Sequence, residues 1–333
     1  MRNLGLIALW LMGAVGCLTE QLVASAAAPC TDRVLPFPGP RFKALIPHRE
    51  GWSLLYSTNN RLSFVALGPD VTVERGPIVL ADGRFDDLQA YEDTLVFTRR
   101  LTMQPELFSG TLRRREGELG LVAQAYFGPD GATSPVIASS SEGLRVGWSR
   151  GSEVGMGRLK GGLVEAPIVF SADSALKPQR LFARSEETWM LTTDSERATM
   201  ERFSSADVLG RLWEAPATAA DATIDGGELL TITTDGAEVV VQGVDGSRPL
   251  FRYAVSAAQV RLASSAEGPV AGFVDADSVY VWFLGDEDAP RRLASPTPRV
   301  TTELELLATS GGVIVAYETE DSEISVRRVC RES

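Results

Sequence analysis

Few residues in this chain of 333 have the types and spacing that chemistry requires. There is one histidine, His48, so a Ser-His-Asp or Cys-His arrangement has a single candidate base. It stands in His48-Arg49-Glu50, a polar run that reads as an exposed turn. Three cysteines, Cys17, Cys30 and Cys330, are all assigned elsewhere below, which leaves no His/Cys zinc set. Asp275-Ala276-Asp277 and Asp286-Glu287-Asp288 are carboxylate-rich but lack the Asp-x-Asp-x-Asp-Gly spacing of a calcium loop, so both read as solvated turns. Glycoside hydrolysis needs two carboxyl groups several ångströms apart, and Asp86, Asp87, Asp221 and Glu305 are the acids to watch. On this reading no catalytic residue, metal ligand or cofactor is assigned.

The first residues have the parts of an export signal. Arg2 gives a small positive region, and Leu4 to Val15 is an apolar or small-residue run too short to span a bilayer of roughly 30 Å. Two cleavage readings stand. Ala14-Val15-Gly16-Cys17 resembles the lipobox of bacterial lipoproteins, in which the cysteine is diacylated; Ala14 departs from the usual Leu. The other is ordinary cleavage after Ala24-Ser25-Ala26, which lies far from the apolar run. The lipobox is preferred, giving a signal peptide over 1–16, a tether over 17–29 and one domain over 30–333. By the same resemblance, Leu18 after the lipidated Cys17 implies sorting to the outer membrane. Removing Arg2 takes the formal charge from −12 to −13. Such acidity argues against nucleic acid, whose binding rests on Lys and Arg at phosphates.

The domain itself is repetitive. Seven gap-free copies of a short stretch read RLSFVAL from Arg61, ELFSGTL from Glu106, EVGMGRL from Glu153, RATMERF from Arg197, EVVVQGV from Glu238, SVYVWFL from Ser278 and EISVRRV from Glu323. Their spacings are 45, 47, 44, 41, 40 and 45 residues. Each copy alternates apolar with small or polar residues, the period of a strand. A strand-like run precedes each copy across a tight turn holding Asn, Asp, Gly or Ser, as at Asn59-Asn60, Asp194-Ser195 and Asp235-Gly236. A first and a fourth strand bring the unit to four. Four antiparallel strands every forty-odd residues make the blade of a β-propeller, and seven copies predict seven blades. Immunoglobulin-like modules would need about 100 residues each.

The last copy ends at Val329, and the seventh blade has no fourth strand after it. The segment Cys30 to Pro38 is expected to supply that strand. Cys330 occupies the position at which the other copies turn into their fourth strand, so Cys30 and Cys330 are expected to pair. Lipidation of Cys17 removes the odd cysteine, and an oxidising compartment permits the bridge.

For recognition, the loop Arg99 to Pro105 is long and basic, beginning Arg99-Arg100. The other turns of that class carry Asp194, Asp235, Asp275, Asp277 and Asp321, and together they predict an acidic top rim with one basic loop as the ligand surface. The strand tryptophans Trp52, Trp148, Trp189, Trp213 and Trp282 read as packing between blades, and Arg113-Arg114-Arg115 as a solvated hairpin. As a whole the chain resembles bacterial exported lipoproteins with a seven-bladed propeller. That resemblance implies a monomer held to the membrane only by its lipid, periplasmic or surface-facing, binding a protein or glycan without catalysis. The alternative is a secreted propeller enzyme acting on glycans or peptides. Two carboxylates or a cation site converging at the channel mouth would favour the enzyme, and a channel plugged by apolar or small residues would favour binding.

Overall fold

The computed structural model describes residues 33–331 apart from 39–40, 49–50, 59, 101–103, 116–117, 185–186, 205–206, 246–248, 286–288, 294–296, 299–302 and 310. Cys17, Cys30 and residues 101–103 of the basic loop therefore lie outside the described residues. A single strand, β1 (Arg33–Pro38), leads into blade 1: β2 (Arg41–His48), β3 (Gly51–Thr58), β4 (Arg61–Leu67) and β5 (Val73–Asp82). Blade 2 is β6 (Arg84–Tyr91), β7 (Thr94–Arg100), β8 (Glu106–Arg115) and β9 (Glu118–Tyr126). Blade 3 is β10 (Thr133–Ser140), β11 (Gly143–Arg150), β12 (Glu153–Lys160) and β13 (Leu163–Ser171). Blade 4 is β14 (Lys177–Arg184), β15 (Glu187–Thr193), β16 (Arg197–Phe203) and β17 (Val208–Pro216). Blade 5 is β18 (Ala219–Asp225), β19 (Glu228–Thr234), β20 (Glu238–Gly243) and β21 (Pro249–Ala254). Blade 6 is β22 (Gln259–Ser265), β23 (Gly268–Val274), β24 (Val279–Phe283) and the short β25 (Arg291–Leu293). Blade 7 is β26 (Leu304–Thr309), β27 (Gly312–Glu318) and β28 (Glu323–Cys330), completed by β1.

The chain is thus a ring of seven four-stranded antiparallel blades, with no helix among the described residues. The recurring stretch is the third strand of every blade, and in the structure its burial is nearly continuous rather than alternating, as along β4 and β16. A blade packs between two neighbours, so both of its faces are covered. In β3, Leu55 joins Phe85 and Phe97 of blade 2, while Leu54 and Tyr56 join Ile314 and Ala316 of blade 7. Seven apolar clusters follow, one at each junction between blades. Each fully buried Leu, Ile or Phe in them contributes about 1.5–3 kcal/mol. Close approach is needed too: a Cβ on Gly155 would stand 2.3 Å from the Trp148 ring. The outermost strands escape this double burial, and there Leu163 and Val169 of β13 and Leu209 and Leu212 of β17 remain exposed.

The borrowed strand is present. β1 pairs antiparallel with β28 from Arg33 opposite Arg328 to Pro38 opposite Glu323, starting three residues after the expected Cys30. Blades 7 and 1 meet across their own apolar cluster, so the seam is packed as the other junctions are. Cys330 ends β28 and is not a free thiol. Its pairing with Cys30 stays a proposal.

Candidate functional site at the mouth of the channel

The inner strands β2, β6, β10, β14, β18, β22 and β26 line the channel, and all begin on one face. On that face lies a cavity of about 420 Å³. Four blades contribute polar residues two apart at or just before their inner strands: Asp87 and Gln89, Lys177 and Gln179, Gln259 and Arg261, Glu303 and Glu305. Ser134 and Pro135 of blade 3 and Thr218, Ala219 and Ala220 of blade 5 complete the inner wall. β6, β10 and β14 each carry a register shift close to the mouth. In β14 the shift falls between Pro178 and Arg180, so Gln179 bulges out of the ladder. Such bulges re-aim side chains. Gln179 presents its carbonyl to the Gln89 amide at 3.1 Å, and its own amide donates to Thr193 at 2.8 Å.

Below the mouth lies an ionic network crossing four blades. Arg180 donates to both oxygens of Asp221 at 2.6 and 3.2 Å, and lies 3.6 Å from Glu305. Arg261 approaches Glu305 at 3.4 Å, and the Leu262 backbone N–H donates to Asp221 at 2.9 Å. Asp221 is fully buried. Burial works to lower the Arg180 pKa, but Asp221 and Glu305 outweigh it and raise the value. Two carboxylates therefore do converge, as the enzyme reading asked, but they converge on a guanidinium. Asp221 spends its lone pairs on Arg180 and a backbone N–H, leaving little with which to attack a substrate or activate water. Of the four acids singled out for hydrolysis, Asp87 and Glu305 line the cavity and Asp221 lies beneath it. Asp86 does not, and it pairs instead with Arg100 at 2.5 Å and Arg84 at 3.2 Å.

The expected rim fares differently from residue to residue. Asp194 lines the cavity, whereas Arg99, Arg100, Asp235, Asp275, Asp277 and Asp321 do not. Arg99 donates to the Asp82 carbonyl at 2.5 Å and lies over the Phe85 ring. Asp194, Asp235 and Asp275 each accept backbone N–H groups two and three residues on, so they hold their own turns. Burial works to raise the Asp194 pKa, but these amides, Ser174 and Arg197 override it and hold the value at about 2. Asp235 is likewise lowered by the N–H groups of Ala237 and Glu238. Asp277 contacts Arg292 at 3.4 Å, and Asp321 is exposed.

Other expectations resolve simply. Trp148, Trp213 and Trp282 are buried between blades, and none of the strand tryptophans lines the cavity. Arg113 is exposed at the hairpin from β8 to β9, on the face away from the mouth. His48 ends β2 opposite Gly51, also on that far face. Among the described residues no group of three or more His, Cys, Asp or Glu is placed to hold a metal ion. Lys177, Gln179, Gln259 and Arg261 were not anticipated from sequence. The signal that marks them is the polar i, i+2 pair at the start of an inner strand.

Solved structures share the ring. Virginiamycin B lyase from Staphylococcus aureus superposes with a TM-score of 0.56 at 11% identity, over 90% of this chain and all of that one. The Neurospora crassa Pan2 WD40 domain gives 0.58 at 10% identity, over 89% and 90%. The Dos1 propeller gives 0.55 at 10%, over 87% and 79%. Identities this low carry the fold and nothing finer. No protein-family model and no curated protein matches the sequence. The chain is a seven-bladed β-propeller by its fold.

Proposed function

We propose that this chain is an extracytoplasmic lipoprotein, anchored through Cys17, whose propeller is a non-enzymatic binding or scaffold module. The observation that carries the reading is the ionic network: the carboxylates converging under the mouth are tied to Arg180 and Arg261 and hold four blades together. Above them the cavity is open and lined by polar groups able to hydrogen-bond a ligand. The direction of β1 supports the anchor. It begins at Arg33, near the Cys330 end of β28, so the preceding chain joins the propeller on the face away from the mouth. The proposed Cys30–Cys330 bridge would clasp the same far end of the seam.

Two experiments test this. Radiolabelled palmitate should enter the wild-type chain and not Cys17→Ser; equal labelling removes the anchor. A crosslinking pull-down from envelope fractions should recover a protein or glycan whose capture falls when mouth residues are substituted. Turnover of a glycan or peptide that depends on Asp221 or Glu305, in variants that remain folded, would instead establish the enzyme.

A further inference from the structure

The hydrogen-bonding capacity left over at the mouth specifies a ligand class. Every carboxylate lining the cavity has a partner. Glu305 has its two guanidiniums, Asp194 its turn and Arg197, Glu303 a contact of its own, and Asp87 accepts the Ser134 N–H through Oδ2 at 3.1 Å. Four lining groups have none among the described residues: the Lys177 ammonium, the Gln259 side-chain amide and the Ser134 and Ser195 hydroxyls. The second oxygen of Asp87, Oδ1, also accepts no hydrogen bond. Asp87 lies on blade 2 and Lys177 on blade 4. Between them blade 3 contributes only Ser134 and Pro135, and the Gln89–Gln179 contact bridges blades 2 and 4 directly. Lys177 and the half-used carboxylate of Asp87 thus line one cavity from blades two apart.

Lys177 is exposed and pairs with no carboxylate among the described residues, so its ammonium is available to an anion. Yet the lining carries four acids, Asp87, Asp194, Glu303 and Glu305, against two bases, Lys177 and Arg261, so an added net negative charge is repelled. A ligand bearing both charges answers both groups while adding no net charge. We infer, building on the binding-module reading, that the mouth takes a small zwitterion, an α-amino acid or short peptide, with its carboxylate on Lys177 and its ammonium on Asp87. The cavity, at about 420 Å³, falls within the small-molecule range of roughly 300–1,000 Å³.

The test is calorimetric titration of the intact mature protein with alanyl-alanine, its N-acetylated form, its C-terminal amide, and glucose as an uncharged polar control. Alanyl-alanine should bind, and each blocked form should bind at least ~10-fold more weakly, the scale of one lost hydrogen bond to a charged group. Lys177→Met and Asp87→Asn should each weaken alanyl-alanine by a similar factor, Lys177→Arg should restore most of it, and Lys160→Met on the far face should change nothing. Asp87→Asn keeps an oxygen for the Ser134 N–H, and unaltered thermal unfolding would show that the blade is intact. Binding of the blocked peptides or glucose as tight as alanyl-alanine overturns the inference, as does no binding at millimolar concentration. If that happens while envelope crosslinking still captures a partner at the mouth, the zwitterion is wrong and the module reading stands.

Discussion

Removing Arg180 separates a structural ion network from a dispensable one. Arg180→Met leaves Asp221 fully buried with one hydrogen bond, from the Leu262 N–H. Breaking a buried pair on one side costs about 3–5 kcal/mol because the remaining charge is stranded. Asp221→Leu should cost less, about 2–3 kcal/mol. Arg180 then keeps Glu305 and is itself 27% exposed, so the main loss is the acceptor of the Leu262 N–H. The double variant strands no charge and loses only that acceptor, so it should be more stable than Arg180→Met alone. Urea unfolding at pH 7, with the slope checked for constancy, gives the four corners of the cycle. The expected coupling is about 3 kcal/mol or more. If Arg180→Met costs under about 1 kcal/mol, or the two changes simply add, the network is not what holds these carboxylates, and the argument against their catalytic use fails.

Other consequences concern the turns, the seam and the blade junctions. The Asp194 side chain is 8% exposed and its pKa is held at about 2, below its ordinary 3.8. Its contribution is therefore complete above about pH 4 and disappears as pH falls toward 2. Asp194→Ala should cost about 2 kcal/mol at pH 7, with the gap to wild type narrowing between pH 4 and pH 3 in denaturant titrations; a gap independent of pH contradicts this. Reduction, or Cys330→Ser, should lower stability by roughly 5 kcal/mol on the chain-entropy model, read by unfolding with and without reductant, while Cys17→Ser should leave it unchanged. Gly155→Ala drives a Cβ against the Trp148 ring and should cost about 1–3 kcal/mol. Gly227→Ala faces open space at a φ of +91°, so any loss there comes from backbone strain alone and leaves tryptophan fluorescence unmoved.

The ring was legible because burial on both faces is imposed on the same strand seven times. Leu62, Leu107, Val154, Ala198, Val239, Val279 and Ile324 all occupy the second position of their copies, and all are buried. The seam was legible for the same reason, since a seventh blade lacking a fourth strand must take one from the other end of the chain. The mouth was not. Its residues differ from blade to blade and meet partners about 41 positions away, as Arg180 meets Asp221, so no local pattern joins them. The bulge at Gln179 also shifts which residues of β14 face inward. The acidic rim was a periodicity with a structural cause of its own. Asp recurs at Asp194, Asp235 and Asp275 because a tight turn needs an acceptor for two successive N–H groups, and in each the same oxygen accepts both.

The central claim, that the mouth is the recognition surface of a non-enzymatic module, is tested most directly by site-specific photocrosslinking in intact cells. A photoreactive residue at Ser195, exposed on the cavity rim, should give a discrete adduct that diminishes with Lys177→Met. The same probe at Glu92 on the far face or Leu163 on an outer strand should not. Adducts at Glu92 or Leu163 with none at Ser195 would place recognition elsewhere on the propeller and contradict the account.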